Sequence, residues 1–208
     1  MERMTTKLLL ATSNPSKLDE YRVLLSGVNV TLVTPPEQGL EGQPEETGET
    51  FEENALLKAR YYAQASGLLS LADDSGLEVD ALGGEPGVHS ARYAGEGATD
   101  ADRVLLLLSR LKGVPAERRT ARFQCVVALA WPEGATETFH GSCEGQIAGE
   151  PRGNSGFGYD PVFCVPELGK SFAELEPDVK NQRSHRAEAA RKAAERLRIV
   201  VDTAKAPA

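Results

Sequence analysis

A chain of 208 residues, 40% hydrophobic and 26% charged, has ordinary globular composition and is long enough to bury a real core, which sets aside disorder and fibrous repeats. Its 31 acidic and 23 basic residues give a formal net charge of −8. That balance lacks the broad positive face a nucleic-acid backbone requires, although lysines, a helix terminus or a metal ion can still reverse the field inside one small site.

Lys7 to Thr12 is an apolar run of strand length, followed at once by Asn14-Pro15, an N-cap and a first-turn proline. Strand, tight turn and helix are the implied order, with Leu18, Tyr21 and Leu25 on one helix face before a loop from Thr34 to Gly48. Thr50-Phe51-Glu52-Glu53 has capping-box form, and the Ala- and Leu-rich helix it opens runs to Ser66 and closes at Gly67. A buried strand from Leu68 to Ala72 then delivers the chain to an acidic turn, Asp73-Asp74-Ser75-Gly76, and Leu77 to Leu82 reads as a second short strand.

A Gly- and Pro-rich surface loop extends through Gly97, and Thr99 caps a helix to about Leu111. Thr120 to Trp131 and Ala135 to Cys143 flank Pro132-Glu133-Gly134 and read as a hairpin, with one further strand over Gly145 to Gly149. A Gly-rich loop, Gly153 to Tyr159, leads into a strand at Pro161 to Val165. Ser184 to Leu197 is an Ala-rich helix, and the ends, about 1–6 and 203–208, are expected to be flexible.

Cys125, Cys143 and Cys164 are odd in number and far apart, so they read as reduced thiols. The apolar runs are far too short to span a membrane, and no signal-peptide core follows Met1-Glu2-Arg3, so a cytoplasmic protein with no membrane partner is expected.

Four constellations carry possible chemistry. Thr12-Ser13-Asn14-Pro15-Ser16-Lys17 places helix N–H groups, hydroxyls and an ammonium at one turn, which suits phosphate but also describes an ordinary cap; the spacing is not that of a P-loop. Asp73 and Asp74 would repel one another without a compensating cation, and magnesium accepts one or two carboxylates together with water and phosphate oxygens; a solvated turn is the alternative. Glu45-Glu46 precedes the capped helix and could bring one carboxylate to the same ion, while Asn54, Lys58 and Tyr61 share a helix face that would send Lys58 to phosphate.

Gly156-Phe157-Gly158-Tyr159-Asp160-Pro161 offers aromatics for stacking on a base, or for plugging a core. Lys180-Asn181-Gln182-Arg183-Ser184-His185-Arg186 supplies donors for base carbonyls at the start of the last helix. His89, His140 and His185 have no ligand spacing, which disfavours zinc.

In this order the stretches Ala11-Thr12-Ser13-Asn14 through Lys17, Phe51-Glu52-Glu53-Asn54-Ala55 with Lys58-Ala59, Ala72-Asp73-Asp74-Ser75-Gly76-Leu77, Gly87 with Ser90-Ala91-Arg92-Tyr93, Gly156 to Pro161 and Ser184-His185-Arg186 resemble the inosine triphosphate pyrophosphatase family. The resemblance implies one domain over 1–208 with an α/β fold, an elongated mixed β-sheet with flanking helices and two lobes around a nucleotide cleft, usually as a homodimer. It implies magnesium-dependent conversion of ITP, dITP and XTP to monophosphate and pyrophosphate. Asp74 is then the catalytic carboxylate and a magnesium ligand, and Glu45 matches the second acidic metal position.

By the same resemblance, Thr12, Ser13, Asn14, Pro15, Ser16 and Lys17 hold the triphosphate and Ser75 contacts substrate. Phe157, Gly158, Tyr159, Asp160, Lys180, His185 and Arg186 form the base and sugar side. Ser13 departs from the glycine usual at its position. The residues alone leave open a pyrophosphatase for other nucleotides, as in the Maf-like group, a nucleotide-binding module without turnover, and an interaction protein.

Overall fold

The computed structural model describes residues 5–203, so the expectations for 1–4 and 204–208 lie outside the described residues. Seven strands form one sheet among them, in the order β2-β1-β3-β4-β5-β6-β7. They are β1 (Thr6–Leu10), β2 (Val30–Val33), β3 (Ser70–Val79), β4 (Thr120–Ala130), β5 (Thr136–Ile147), β6 (Phe163–Val165) and β7 (Lys170–Ser171). The sheet is mixed: β1 pairs parallel with β2 and β3, in the registers Leu8↔Leu32 and Leu9↔Ser70, while β6 runs antiparallel to β5 and β7. Five α-helices lie among the described residues: α1 (Pro15–Leu24), α2 (Phe51–Ser66), α3 (Asp100–Arg110), α4 (Pro177–Arg183) and α5 (His185–Thr203).

Local chemistry sets the helix ends as expected. The Asn14 side chain accepts from the N–H groups of Ser16 and Lys17, and Thr50 and Thr99 each form a full capping box, opening α2 and α3. Such a cap contributes about 1 kcal/mol by satisfying N–H groups the helix leaves open. Gly67 closes α2 at φ 68°, a left-handed conformation that costs a residue with a Cβ.

Several expectations need correction. The acidic stretch is not a turn between two strands: β3 runs unbroken from Ser70 to Val79, through Asp73-Asp74-Ser75-Gly76. A strand sends successive side chains to opposite faces, so two adjacent carboxylates need not confront each other. The segment expected as a separate strand from Gly145 is the end of β5, and the strand expected from Pro161 begins at Phe163. Strand β2 and helix α4 had no counterpart in the sequence reading, and Lys180 lies in α4, a helix separate from α5.

The chain forms two compact units. Unit 1 comprises Met1–Asp74, Cys125–Gly141 and Arg186–Ala208; unit 2 comprises Ser75–Gln124 and Ser142–His185. In unit 1 Leu69, just before β3, and Leu71 within it join Leu8 and Leu10, with Tyr21 from α1, Leu25 at its C-cap and Ala189, Ala190, Ala193 and Leu197 from α5. Fully burying one such leucine is worth about 1.5–3 kcal/mol. Unit 2 has its own core, where Leu107 and Leu111 pack with Phe123, Phe163 and Phe172. Phe123 and Phe172 stack with ring centroids 5.8 Å apart.

Candidate active site

Unit 1 holds Lys17, Glu46, Lys58, Asp73, Asp74 and Arg186, and strand alternation divides the two aspartates. Asp73 continues the odd-numbered series of β3 onto the face covered by α1 and α5. There its Oδ1 accepts from the Lys17 ammonium at 3.0 Å, and its Oδ2 accepts from Arg186 Nε at 3.1 Å and lies 3.8 Å from the Cys125 thiol. Arg186, buried in the first turn of α5, also donates through Nη1 to Glu20 of α1 at 2.7 Å. Burial alone would push the Asp73 carboxyl up, but Lys17 and Arg186 outweigh it and hold it well below the usual carboxylate range. Burial and the same carboxylate push the Cys125 thiol up to about 12, so it is an inert core group.

Asp74 lies on the opposite face of β3, toward α2. Its Oδ1 accepts from the Lys58 ammonium at 3.0 Å and its Oδ2 from the Asn54 side-chain amide at 3.3 Å. Lys58 and Asn54 stand one helical turn apart on α2, so the capped start of that helix fixes both. Asn54 is held in turn by the Gly48 backbone, whose N–H donates to its carbonyl oxygen at 2.8 Å. A Cβ on Gly48 would stand 2.7 Å from that oxygen, so the close approach requires glycine.

Lys58 also donates to Glu46 at 2.6 Å, which places two carboxylates on one ammonium. Burial and the Glu46 charge raise the Asp74 carboxyl from its ordinary value, against the opposing pull of Lys58 and Lys17. The two neighbours are therefore displaced in opposite directions, the arrangement in which one carboxylate stays charged and the other can handle a proton. Glu45 is exposed, and Glu46 beside it is the acidic residue that meets Lys58. Of the remaining residues of the turn before α1, Ser13 donates to Gln43 at 3.3 Å, Thr12 accepts from the Asn14 N–H, and Pro15 and Ser16 sit in the first turn.

Two carboxylates, Asp74 and Glu46, with no third His, Cys, Asp or Glu grouped beside them among the described residues, form a hard-oxygen donor set. It fits a magnesium ion, which takes the rest of its octahedron from water and phosphate. It does not fit a closed zinc cage.

Unit 2 holds the aromatic group. Asp160 accepts from the Lys180 ammonium at 2.7 Å and from the Phe157 N–H at 2.9 Å, while Lys180 stands 5.0 Å from the Phe157 ring centroid. Gly156 is a glycine for a steric reason: its φ is +78°, and a Cβ would come within 2.0 Å of the Asp160 carboxylate. The Gly158 N–H donates to Asp100 at 2.7 Å. Tyr159 is buried, with its hydroxyl donating to the Ser90 carbonyl at 3.0 Å, and His185 stacks on Phe123 at 4.6 Å within 12° of parallel. Phe157 and Gly158 are half-buried, as is Ser75.

Sequence reasoning did not mark Glu20 or Gly48 as carriers of this geometry. Of the polar stripe on α2, Asn54 and Lys58 meet Asp74, and Tyr61 is 42% exposed.

The profile of the Ham1 family matches residues 8–196 of this chain. A protein of Thermus thermophilus named dITP/XTP pyrophosphatase is 54% identical over 185 residues, covering 89% of this chain and 88% of its own length. One of the same name from Bacillus subtilis is 49% identical, covering 88% and 93%. Among solved structures, a HAM1 protein from Coxiella burnetii superposes with a TM-score of 0.86 at 45% identity, covering 93% of this chain and 98% of that one.

Proposed function

The chain belongs to the Ham1 family, and from that membership we propose that it is a magnesium-dependent nucleoside-triphosphate pyrophosphatase acting on the deaminated purine nucleotides ITP, dITP and XTP. The observation that carries the reading is Asp74, a largely buried carboxylate set between the Lys58 ammonium and the Asn54 amide, with Glu46 on the same ammonium. Relatives named dITP/XTP pyrophosphatase at about half identity over most of the chain support the substrate class.

In this reading water attacks the α-phosphorus, the bond to the bridging oxygen breaks, and pyrophosphate leaves with the electron pair. Asp74, held by the Lys58 ammonium and the Asn54 amide, orients the water and takes its proton. Lys17 and Lys58 bring positive charge to the phosphate oxygens, together with the N–H groups and hydroxyls from Thr12 to Ser16. Asp74 and Glu46 would hold magnesium; the geometry favours Glu46 over its neighbour Glu45. Bound magnesium supplies Lewis-acid neutralisation of charge on the phosphate oxygens.

We assign the base to unit 2, with Phe157 stacking on it, Lys180 donating beside it, and Gly158, Asp160 and His185 shaping the surroundings. A 6-oxo group accepts from a donor where the 6-amino group of adenine sets donor against donor. Leaving one buried polar group unpaired costs about 1–3 kcal/mol. The reading carries with it a cytoplasmic homodimer that prevents deaminated nucleotides from entering DNA and RNA.

Product analysis in oxygen-18 water tests the point of attack. IMP carrying the label, together with unlabelled pyrophosphate, is expected from ITP. Labelled pyrophosphate, or IDP with inorganic phosphate, contradicts attack at the α-phosphorus.

A further inference from the structure

The mechanism uses Asp74 and leaves an elaborate arrangement around Asp73 without a role. The Asp73 side chain is 1% exposed and that of Arg186 2%, so neither is a surface group on which a nucleotide could settle. Both charges are nonetheless retained, and breaking a buried pair of this kind is costly once it exists. The chain of contacts has a direction: Glu20 accepts from Arg186, Arg186 donates to Asp73, and Asp73 accepts from Lys17. The Tyr21 hydroxyl is buried on the same face, with no hydrogen-bond partner among the described residues.

Only Lys17, at 16%, retains appreciable exposure among Lys17, Asp73 and Arg186. Its backbone N–H is fixed by the Asn14 cap at 3.4 Å and its ammonium by Asp73 at 3.0 Å. An ammonium has three donors, and Asp73 is its one hydrogen-bond partner among the described residues. Two donors therefore remain for another anion. A lysine side chain free to rotate would lose much conformational entropy on meeting a phosphate, and an ammonium already anchored avoids most of that loss.

We propose that Asp73 is a positioning residue: a buried carboxylate, seated by Arg186, that holds the Lys17 ammonium at the start of α1 ready for phosphate. Arg186 then acts through Asp73, with its Nε on Asp73 and its Nη1 on Glu20. The proposal rests on the reading of Lys17 as a phosphate ligand, and the test separates the two.

The full chain is assayed for ITP hydrolysis with magnesium as Asp73→Asn, Lys17→Met and the double variant. Each single substitution is expected to lower kcat/KM about tenfold or more, and the double variant to fall no more than about threefold below Lys17→Met, because Asp73 has nothing left to position. A purely structural role for Asp73 would instead give losses that multiply. Should Asp73→Asn fold poorly, the cycle is run with Asp73→Asn/Arg186→Met, which removes both buried charges and keeps the same expectation. Multiplying losses, or full activity in the Asp73 variant, overturns the positioning role. Undiminished activity in Lys17→Met overturns the phosphate reading itself.

Discussion

Adjacent residues of one strand lie in two regions that treat a carboxylate in opposite ways. On the α1 and α5 face, Asp73 is enclosed by Lys17 and Arg186 and held well below the usual range; on the α2 face, Asp74 shares one ammonium with Glu46 and is raised. Burial opposes ionisation at both positions, so the difference comes from how many cations each carboxylate has to itself. A fixed anion is useful for holding a lysine, and a poised one for moving a proton. The strand supplies both from consecutive residues because its side chains alternate.

The sharpest way to break this comparison is Asp74→Asn. Hydrolysis is expected to fall by about 10²–10⁴-fold, the range for loss of a general base, while nucleotide binding measured by calorimetry persists. Retained turnover would remove Asp74 from the chemistry. A second test concerns the acidic loop: Glu46→Gln should raise the magnesium concentration needed for half-maximal rate by about 10–100-fold, and Glu45→Gln should leave it nearly unchanged. The reverse pattern would restore Glu45 as the ligand.

Phe157→Ala probes unit 2. Loss of stacking worth about 1–3 kcal/mol should raise KM for ITP at least about fivefold with a smaller change in kcat. An unchanged KM would return Phe157 to a packing role. The smallest expected effect is Thr50→Ala, which removes the cap of the helix carrying Asn54 and Lys58. Stability should fall by about 0.5–2 kcal/mol, read as a drop of a few degrees in Tm. No change would mean that packing alone sets the start of α2.

Which parts of this were legible beforehand follows from the range of the interactions. Asn14, Thr50, Thr99 and Gly67 act within a few residues of themselves, so α1, α2 and α3 could be read from the chain directly. The motifs from Thr12 to Lys17, at Asp74, at Lys58 and from Gly156 to Asp160 likewise occur as contiguous strings. Asp73 was misread as part of a turn because its compensating cations are 56 and 113 residues away in sequence, and a local pattern shows two adjacent acids without them.

Glu45 and Glu46 are equivalent to any local rule, and only the approach of Lys58 separates them. The long-range pairing of β2 with β1 is invisible in the same way, because four residues carry too short a pattern to announce a strand. The contacts of Arg186 to Glu20 and Asp73 span 166 and 113 residues and are visible only in three dimensions.

The claim on which the rest depends is that the poised carboxylate serves a deaminated purine triphosphate. Pyrophosphate release from ITP, dITP, XTP, GTP, ATP and UTP, each with magnesium and with EDTA, tests it most directly. Release from ITP, dITP and XTP is expected to exceed that from GTP, ATP and UTP by at least about tenfold in kcat/KM and to vanish in EDTA. Equal rates across the six nucleotides, a preference for UTP, or full activity in EDTA would contradict it.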